Sequence, residues 1–337
     1  MEAWQSRQSD DSLSVYCLIG RTLKLFYVNV FAKSITMFRL TRSVAADTGI
    51  HIGDGHLLIR QQGADTSYTY DITGNALDDQ LYFLSHVIPT IESAYGMSKF
   101  GIYVPRQETW ISIVYQSKDI ALFKNKVLGL PNGRKLDLSI PSLVFDDPRL
   151  MKCCVREILS TDWLVSFYSA SRKRADKYGR IQITMTARRV IEQIDEFLRQ
   201  YIGIDACCRV RADTPSLRRR ARHVLQINRA EDINVWRREI GFSNPSHISR
   251  VMVSERLGEC PPSSNILERL SYLAGCSSEV KANGPLPRSA FGSILNEMRK
   301  QFGSPDLPLD QTLGRMKAVN ERLRRLARKL PQIVADD

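Results

Sequence analysis

No stretch of this chain reads as a membrane span. A span needs roughly 20 residues with few or no charges, and the apolar segment 13–38 is interrupted by Arg21, Lys24 and Lys33. The opening, Met1-Glu2-Ala3-Trp4 through Asp10-Asp11, carries acids and lacks the pattern of a signal or transit peptide. No Cys-x-x-Cys occurs among Cys17, Cys153, Cys154, Cys207, Cys208, Cys260 and Cys276, and no histidine stands at zinc-finger spacing from them. Their number is odd and two pairs are adjacent, which suits free thiols in a reducing compartment. A phosphate-binding glycine loop and a Ser-His-Asp spacing are also missing. These absences predict an intracellular protein, cytoplasmic or nucleoid-associated, with no targeting segment and no membrane partner.

What is present is positive charge. Lys and Arg number 48 against 36 Asp and Glu, a net +12 over 337 residues, with a pI near 9.5. Such a balance points to a polyanion, most simply nucleic acid. The charge is uneven. Residues 43–148 hold 8 basic and 12 acidic residues, a net −4, whereas residues 149–250 hold 21 and 11, a net +10. The second half is therefore expected to supply most of the attraction to phosphate. A hydrophobic fraction of 43% is enough for a substantial core.

The periodicities repeat. From about residue 43 they read helix, two strands, helix, two strands, helix, and from residue 149 the same order returns. In the first unit, helices are predicted over 43–53, 78–95 and 118–128. Hairpins are predicted over 56–62 with 67–73, and over 100–104 with 109–115. In the second, helices fall at 149–161, 187–201 and 230–240, and strands at 164–168, 180–184, 207–211 and 224–228. Gly129-Leu130-Pro131-Asn132-Gly133 to Pro141 marks a linker. The expected organisation is an N-terminal extension (1–42), a first repeat (43–128), a linker (129–148), a second repeat (149–250) and a helical C-terminal extension (251–337) with helical patterns at 290–302 and 311–330. The fold class is α+β: two pseudo-symmetric αββαββα repeats forming antiparallel β-saddles around a central pair of helices.

One stretch carries chemistry. Ala45-Ala46-Asp47-Thr48-Gly49-Ile50-His51-Ile52-Gly53-Asp54-Gly55-His56-Leu57 resembles the first motif of LAGLIDADG (dodecapeptide) homing endonucleases in their single-chain, two-repeat form. Ile240-Gly241-Phe242-Ser243-Asn244-Pro245-Ser246-His247, Val127-Leu128-Gly129-Leu130-Pro131 and Tyr178-Gly179-Arg180-Ile181-Gln182-Ile183-Thr184 resemble further parts of that family, over roughly residues 43–250. The second motif, Glu157-Ile158-Leu159-Ser160-Thr161-Asp162-Trp163-Leu164, is degenerate. It has Glu157 where the first has Gly49, and Trp163 where the first has Gly55.

The resemblance implies two helices packed through Gly49 and Gly53, with Glu157 at the same interface. Each helix would end in a carboxylate, Asp54 and Asp162, as the catalytic pair. These acids, with the carbonyls of Gly53 and Thr161, would hold Mg²⁺, or Mn²⁺ in its place, among hard oxygen donors. The implied activity is site-specific cleavage of both strands of double-stranded DNA by a monomer, at a long target, as in intron-encoded nucleases. A buried Glu157 is costly unless paired. Trp163 lacks the backbone freedom of glycine at the turn into the sheet. These two residues favour the alternative of a decayed DNA-binding regulator. An intron maturase that binds RNA is the other alternative. The opening Met1 and the ending Val334-Ala335-Asp336-Asp337 do not match intein splice ends.

On the strands, Arg60 and Gln62 alternate to one face, as do Tyr68 and Tyr70, and as do Arg180, Gln182 and Thr184. Arg and Gln suit guanine and adenine edges. Arg172, Lys173, Arg174 and Lys177, and Arg218, Arg219, Arg220 and Arg222, lie at hairpin tips and suit phosphates. His51 is expected to be packed or solvent-facing, and His56 to face a phosphate.

Overall fold

The computed structural model describes residues 38–103, 110–135, 137–161, 177–211, 221–261, 263–275, 286–302 and 311–317, with strand backbones also at 7–9, 12–19, 22–29 and 163–169. Asp162, Arg172, Lys173, Arg174, Arg218, Arg219 and Arg220 lie outside the described residues, and Lys177 is described only as strand backbone.

Three strands open the chain: β1 (Arg7–Ser9), β2 (Ser12–Ile19) and β3 (Thr22–Asn29), paired antiparallel in that order. The first αββαββα unit follows. Helix α1 (Arg42–Gly53) leads into β4 (Gly55–Gln62) and β5 (Asp65–Asn75). A second helix starts as α2 (Gln80–Tyr82), widens to i→i+5 bonding over Phe83–Val87, and continues as α3 (Ile88–Tyr95). Then come β6 (Gly101–Tyr103), β7 (Trp110–Gln116) and α4 (Lys118–Leu122), which runs on through Phe123–Val127.

After the short α5 (Ser142–Phe145), α6 (Pro148–Thr161) opens the second unit. It continues with β8 (Trp163–Ser169), β9 (Lys177–Met185), α7 (Arg188–Phe197), β10 (Cys207–Arg211), β11 (Arg222–Ile227) and α8 (Ala230–Glu239). The two four-stranded sheets, β4-β5-β7-β6 and β8-β9-β11-β10, share one order. In each, the first and second strands of the unit pair, and the fourth lies between the second and third. The fold is α+β, and each of the two four-stranded antiparallel sheets is backed by amphipathic helices. Leu81, Leu84, Val87, Ile88 and Ile91 are buried under the first sheet, and Val190, Ile191, Ile194, Phe197 and Leu198 under the second, as helical periodicity requires.

Among the described residues α9 (Pro245–Leu257), α10 (Ile266–Leu273) and α11 (Arg288–Phe302) follow, with helix again at 311–317. The periodicity analysis misses α9 and α10, although their start signals are in the sequence. Asn244 caps α9 ahead of Pro245, and Asn265 with Glu268 forms a reciprocal capping box on α10. Both helices are tied to the first unit. Asp78 accepts from the α10 backbone at Ile266 and from Arg269, each at 2.9 Å. Arg269 is fully buried, and Ser249 accepts from its Nε at 2.9 Å. No described helix is long and apolar enough to cross a membrane.

The centre is the α1–α6 pair. Thr41 caps α1, accepting from the Val44 N–H at 3.2 Å, and all residues from Val44 to Gly53 are buried. A Cβ added at Gly49 would stand 2.2 Å from the Cys154 carbonyl oxygen, and one at Gly53 would stand 1.8 Å from Thr161 Oγ1. At Gly49 the obstacle is backbone, so only glycine fits there, whereas at Gly53 it is the Thr161 side chain. Gly49→Ala has no flexible neighbour to displace and is expected to cost on the order of 3 kcal/mol. Chemical denaturation of the variant checks this, and an unchanged midpoint would mean that the helices are not in contact there.

Candidate active site and nucleic-acid interface

The end of α1 is built from its own carbonyls and one lysine. Asp54 closes the helix with right-handed backbone angles, its N–H reaching the Ile50 carbonyl at 3.0 Å, and its side chain is partly exposed. Lys135, from the inter-repeat linker, donates to the carbonyls of His51 at 3.0 Å and Ile52 at 3.1 Å, and also to that of Gly53. An ammonium at a helix C-terminus is favoured by the helix dipole. Sequence reasoning missed Lys135, because nothing in a linker motif reveals that it folds back 82 residues onto a helix end.

The end of α6 is held equally firmly. Thr161 Oγ1 donates to its own helix at the Glu157 and Ile158 carbonyls, at 3.0 and 3.1 Å. Asn244 donates to the Ser160 carbonyl at 2.9 Å and to Asp79 at 3.0 Å. The Ser243 and Ser160 hydroxyls are 2.6 Å apart. The Gly53–Thr161 contact therefore sets the two helix ends side by side, one residue before positions 54 and 162.

Glu157 is the residue that replaces a small one at this contact. It is fully buried and is paired, which answers the cost the sequence raises. Tyr82 donates to Oε2 at 2.8 Å and Ser243 donates to it at 2.6 Å. His86 Nε2 lies 3.1 Å from Oε2, and Arg156 donates to Oε1 at 2.9 Å. Burial pushes the carboxyl pKa up, but His86, Arg156 and the hydrogen bonds from His86 and Ser243 outweigh it and hold it well below the usual range. Gly55 is a second correction. Its φ is not in the left-handed region; instead a Cβ there would lie 2.6 Å from the His51 Cα. Glycine is needed for space, not for an unusual backbone, and Trp163 begins β8 in register with Ile183.

A second buried charge lies inside the first unit. Asp47 on α1 accepts from Tyr70 at 2.7 Å and Tyr95 at 2.5 Å, and pairs with the fully buried Lys124. The ammonium sits 4.0 Å over the Tyr70 ring. This corrects the strand assignment. Tyr70 is buried, and Tyr68 shares its face and packs on the core, so neither belongs to the exposed saddle. An aromatic ring with a hydroxyl serves a core as well as a groove, and Asp47 decides which. His51 is likewise packed, stacked 5.5 Å from Tyr70. Burial, with the charges of Lys124 and Lys135, lowers its pKa well below the ordinary value.

The register defines the outer faces. In the first sheet, His56, Arg60 and Gln62 share a face with Asp71, Ser67 and Asp65, and His56 Nδ1 lies 3.2 Å from Asp71 Oδ1. In the second, Arg180, Gln182 and Thr184 share a face with Gln226, Arg222, Arg209 and Arg211. Gln226 donates to Gln182 at 2.6 Å, Gln182 to Thr184 at 3.1 Å, and Arg180 to Asn228 at 3.0 Å. Arg209 and Arg211 are exposed and escaped the sequence reading because Cys207 to Arg211 shows no clear alternation.

No family model matches the chain, and no curated protein matches it. Solved structures do. I-DmoI in complex with DNA and manganese is 15% identical over 59% of this chain and 96% of that one, with a TM-score of 0.42. Variants of the homing endonuclease I-DmoI match at 16% identity over 59% and 88%, with a TM-score of 0.41. Meganuclease I-SmaMI bound to uncleavable DNA matches at 13% over 70% and 97%, with a TM-score of 0.42. These neighbours are LAGLIDADG homing endonucleases. Overlaps this loose carry no functional argument, and the reading of function rests on this chain's own residues.

Because the folded Glu157 carboxyl has a depressed pKa, its stabilisation is fully present above the unfolded value of about 4.3 and is lost progressively as pH falls from there through the lower folded value. Glu157→Gln should therefore melt below the wild type at pH 7, by about 3 kcal/mol, and the gap should narrow steadily as pH falls below about 4. Calorimetry across that range checks this. A gap independent of pH would mean that the buried group is not a carboxylate ion.

Proposed function

We propose that this chain is a monomeric, site-specific, double-strand DNA endonuclease of the homing type, acting through Asp54 and Asp162. The observation that carries the reading is the Gly53–Thr161 contact, since two helices whose ends touch deliver the residues that follow them to one place. A single chain supplies both helices, so no second copy is needed. The donors fit a hard divalent cation: two carboxylates with the carbonyls of Gly53 and Thr161, all oxygen. Among the described residues no three His, Cys, Asp or Glu side chains gather as a metal site, so phosphate and water would complete the coordination. Bound there, Mg²⁺ or Mn²⁺ would supply activation of the attacking water and charge stabilisation of the leaving oxygen.

The chain's own residues do the rest. Lys135 keeps a positive charge at the helix end, where a phosphate's negative charge arrives. Arg60, Gln62, Arg180, Gln182 and Thr184 face the duplex from the two sheets, and Arg172, Lys173, Arg174, Arg218, Arg219 and Arg220 hold its backbone. Lys135 also favours a second reading, a DNA-binding protein without cleavage, because its ammonium already occupies the Gly53 carbonyl.

Cleavage of a randomised duplex library with Mg²⁺ separates the two. The wild type is expected to cut, with Asp54→Asn and Asp162→Asn each losing at least 100-fold, of the order expected for lost charge stabilisation at a reacting centre. Binding without cutting in all three proteins would establish the second reading. Preference for structured RNA over duplex DNA would replace both with an RNA-binding role.

A further inference from the structure

The two outer faces differ in kind. Among the described residues the second sheet presents Arg180, Arg209, Arg211 and Arg222 and no carboxylate, whereas the first presents Arg60 with Asp65 and Asp71. Arg211 stands directly opposite Arg222 across the β10–β11 ladder. Arg209 and Arg211 are both exposed on this face. Residues two apart on a strand are about 6.6 Å apart, close to two base-pair steps of about 3.4 Å each. Arg209 Nε donates to Cys207 Sγ at 3.4 Å, on the same strand and face.

Resting on the DNA-binding part of the reading above, we propose that Arg209 and Arg211 read guanines two steps apart in the major groove, so that the second sheet recognises a guanine-rich half of an asymmetric target. A guanidinium fork matches guanine O6 and N7, and no other base edge presents two acceptors in that place. The first sheet's carboxylates repel phosphate and cannot accept from guanine's major-groove edge, where both groups are acceptors. With four arginines on the described face of the second sheet against one on the first, most of the guanine reading and of the salt-dependent grip fall to the second sheet.

Selection of bound duplexes from a randomised library by the full chain tests this, without metal so that cleavage does not intervene. The wild type should select two guanines at fixed spacing in one half of the site. Arg209→Ala and Arg211→Ala should each lose preference at one of them, a drop of roughly 5- to 150-fold in discrimination. Arg209→Lys should lose it too, since an ammonium cannot make the paired contact. Arg211→Ala should melt no lower than the wild type, which separates a reading role from a structural one. If both alanine variants weaken all sequences alike, with a shallower salt dependence, the arginines hold phosphates and the proposal is overturned. Duplex binding with no guanine preference in the wild type overturns it as well, while leaving DNA binding intact. An absence of any duplex binding by the wild type removes the DNA reading itself.

Discussion

Two helix backbones in direct contact are the constraint on which the rest of this molecule depends. Gly49 lies on the Cys154 carbonyl, where no side chain larger than hydrogen fits, and Gly53 lies on the Thr161 side chain. Such contact fixes the relation of the two repeats, because each sheet is connected directly to one of the helices. It also fixes where the chain emerges at the helix ends. The geometry that holds the halves together is thus the geometry that would bring two acids to one phosphate.

The contact is asymmetric, and the asymmetry is stabilised by charge. α1 brings glycines, while α6 brings Glu157, whose buried carboxylate takes partners from the first unit (Tyr82, His86) and from the loop before α9 (Ser243). A buried ion of this kind adds little to stability compared with an apolar replacement, but removing one partner is expensive. It therefore acts as a specification, since only one rotation of α6 satisfies all of its partners. Asp47 and Lys124 do the same inside the first unit, and Arg269 with Asp78 ties the C-terminal helices to it. Each of these buried charges joins segments distant in sequence, and together they hold the interfaces that glycine contacts alone would leave free to slide.

The two sheets share a topology but not a surface. The first turns Tyr68 and Tyr70 inward, Tyr70 bonding to Asp47, and offers a mixed face outward. The second offers arginines beside a row in which Gln226 donates to Gln182 and Gln182 to Thr184. A symmetric scaffold with unlike faces suits an unsymmetric partner, and the charge difference between the halves of the sequence follows from that division.

Much of this was legible in the sequence. The helices at 78–95 and 187–201 follow from apolar spacing of 3.6, and the hairpins follow from alternation bounded by glycine and aspartate, because these patterns are local. The small residues of α1 also announce close packing. What remained hidden was every decision made across the fold. Whether a tyrosine faces core or solvent depended on Asp47, 23 residues away from Tyr70. Whether Glu157 was a defect depended on partners 75 and 86 residues away. The amino-acid sequence determined the elements, their order and their duplication, since local propensity and periodicity are carried by neighbouring residues. Only the tertiary structure decided which buried charges are compensated and which strand faces remain open, since both are set by groups that meet only when the chain has folded.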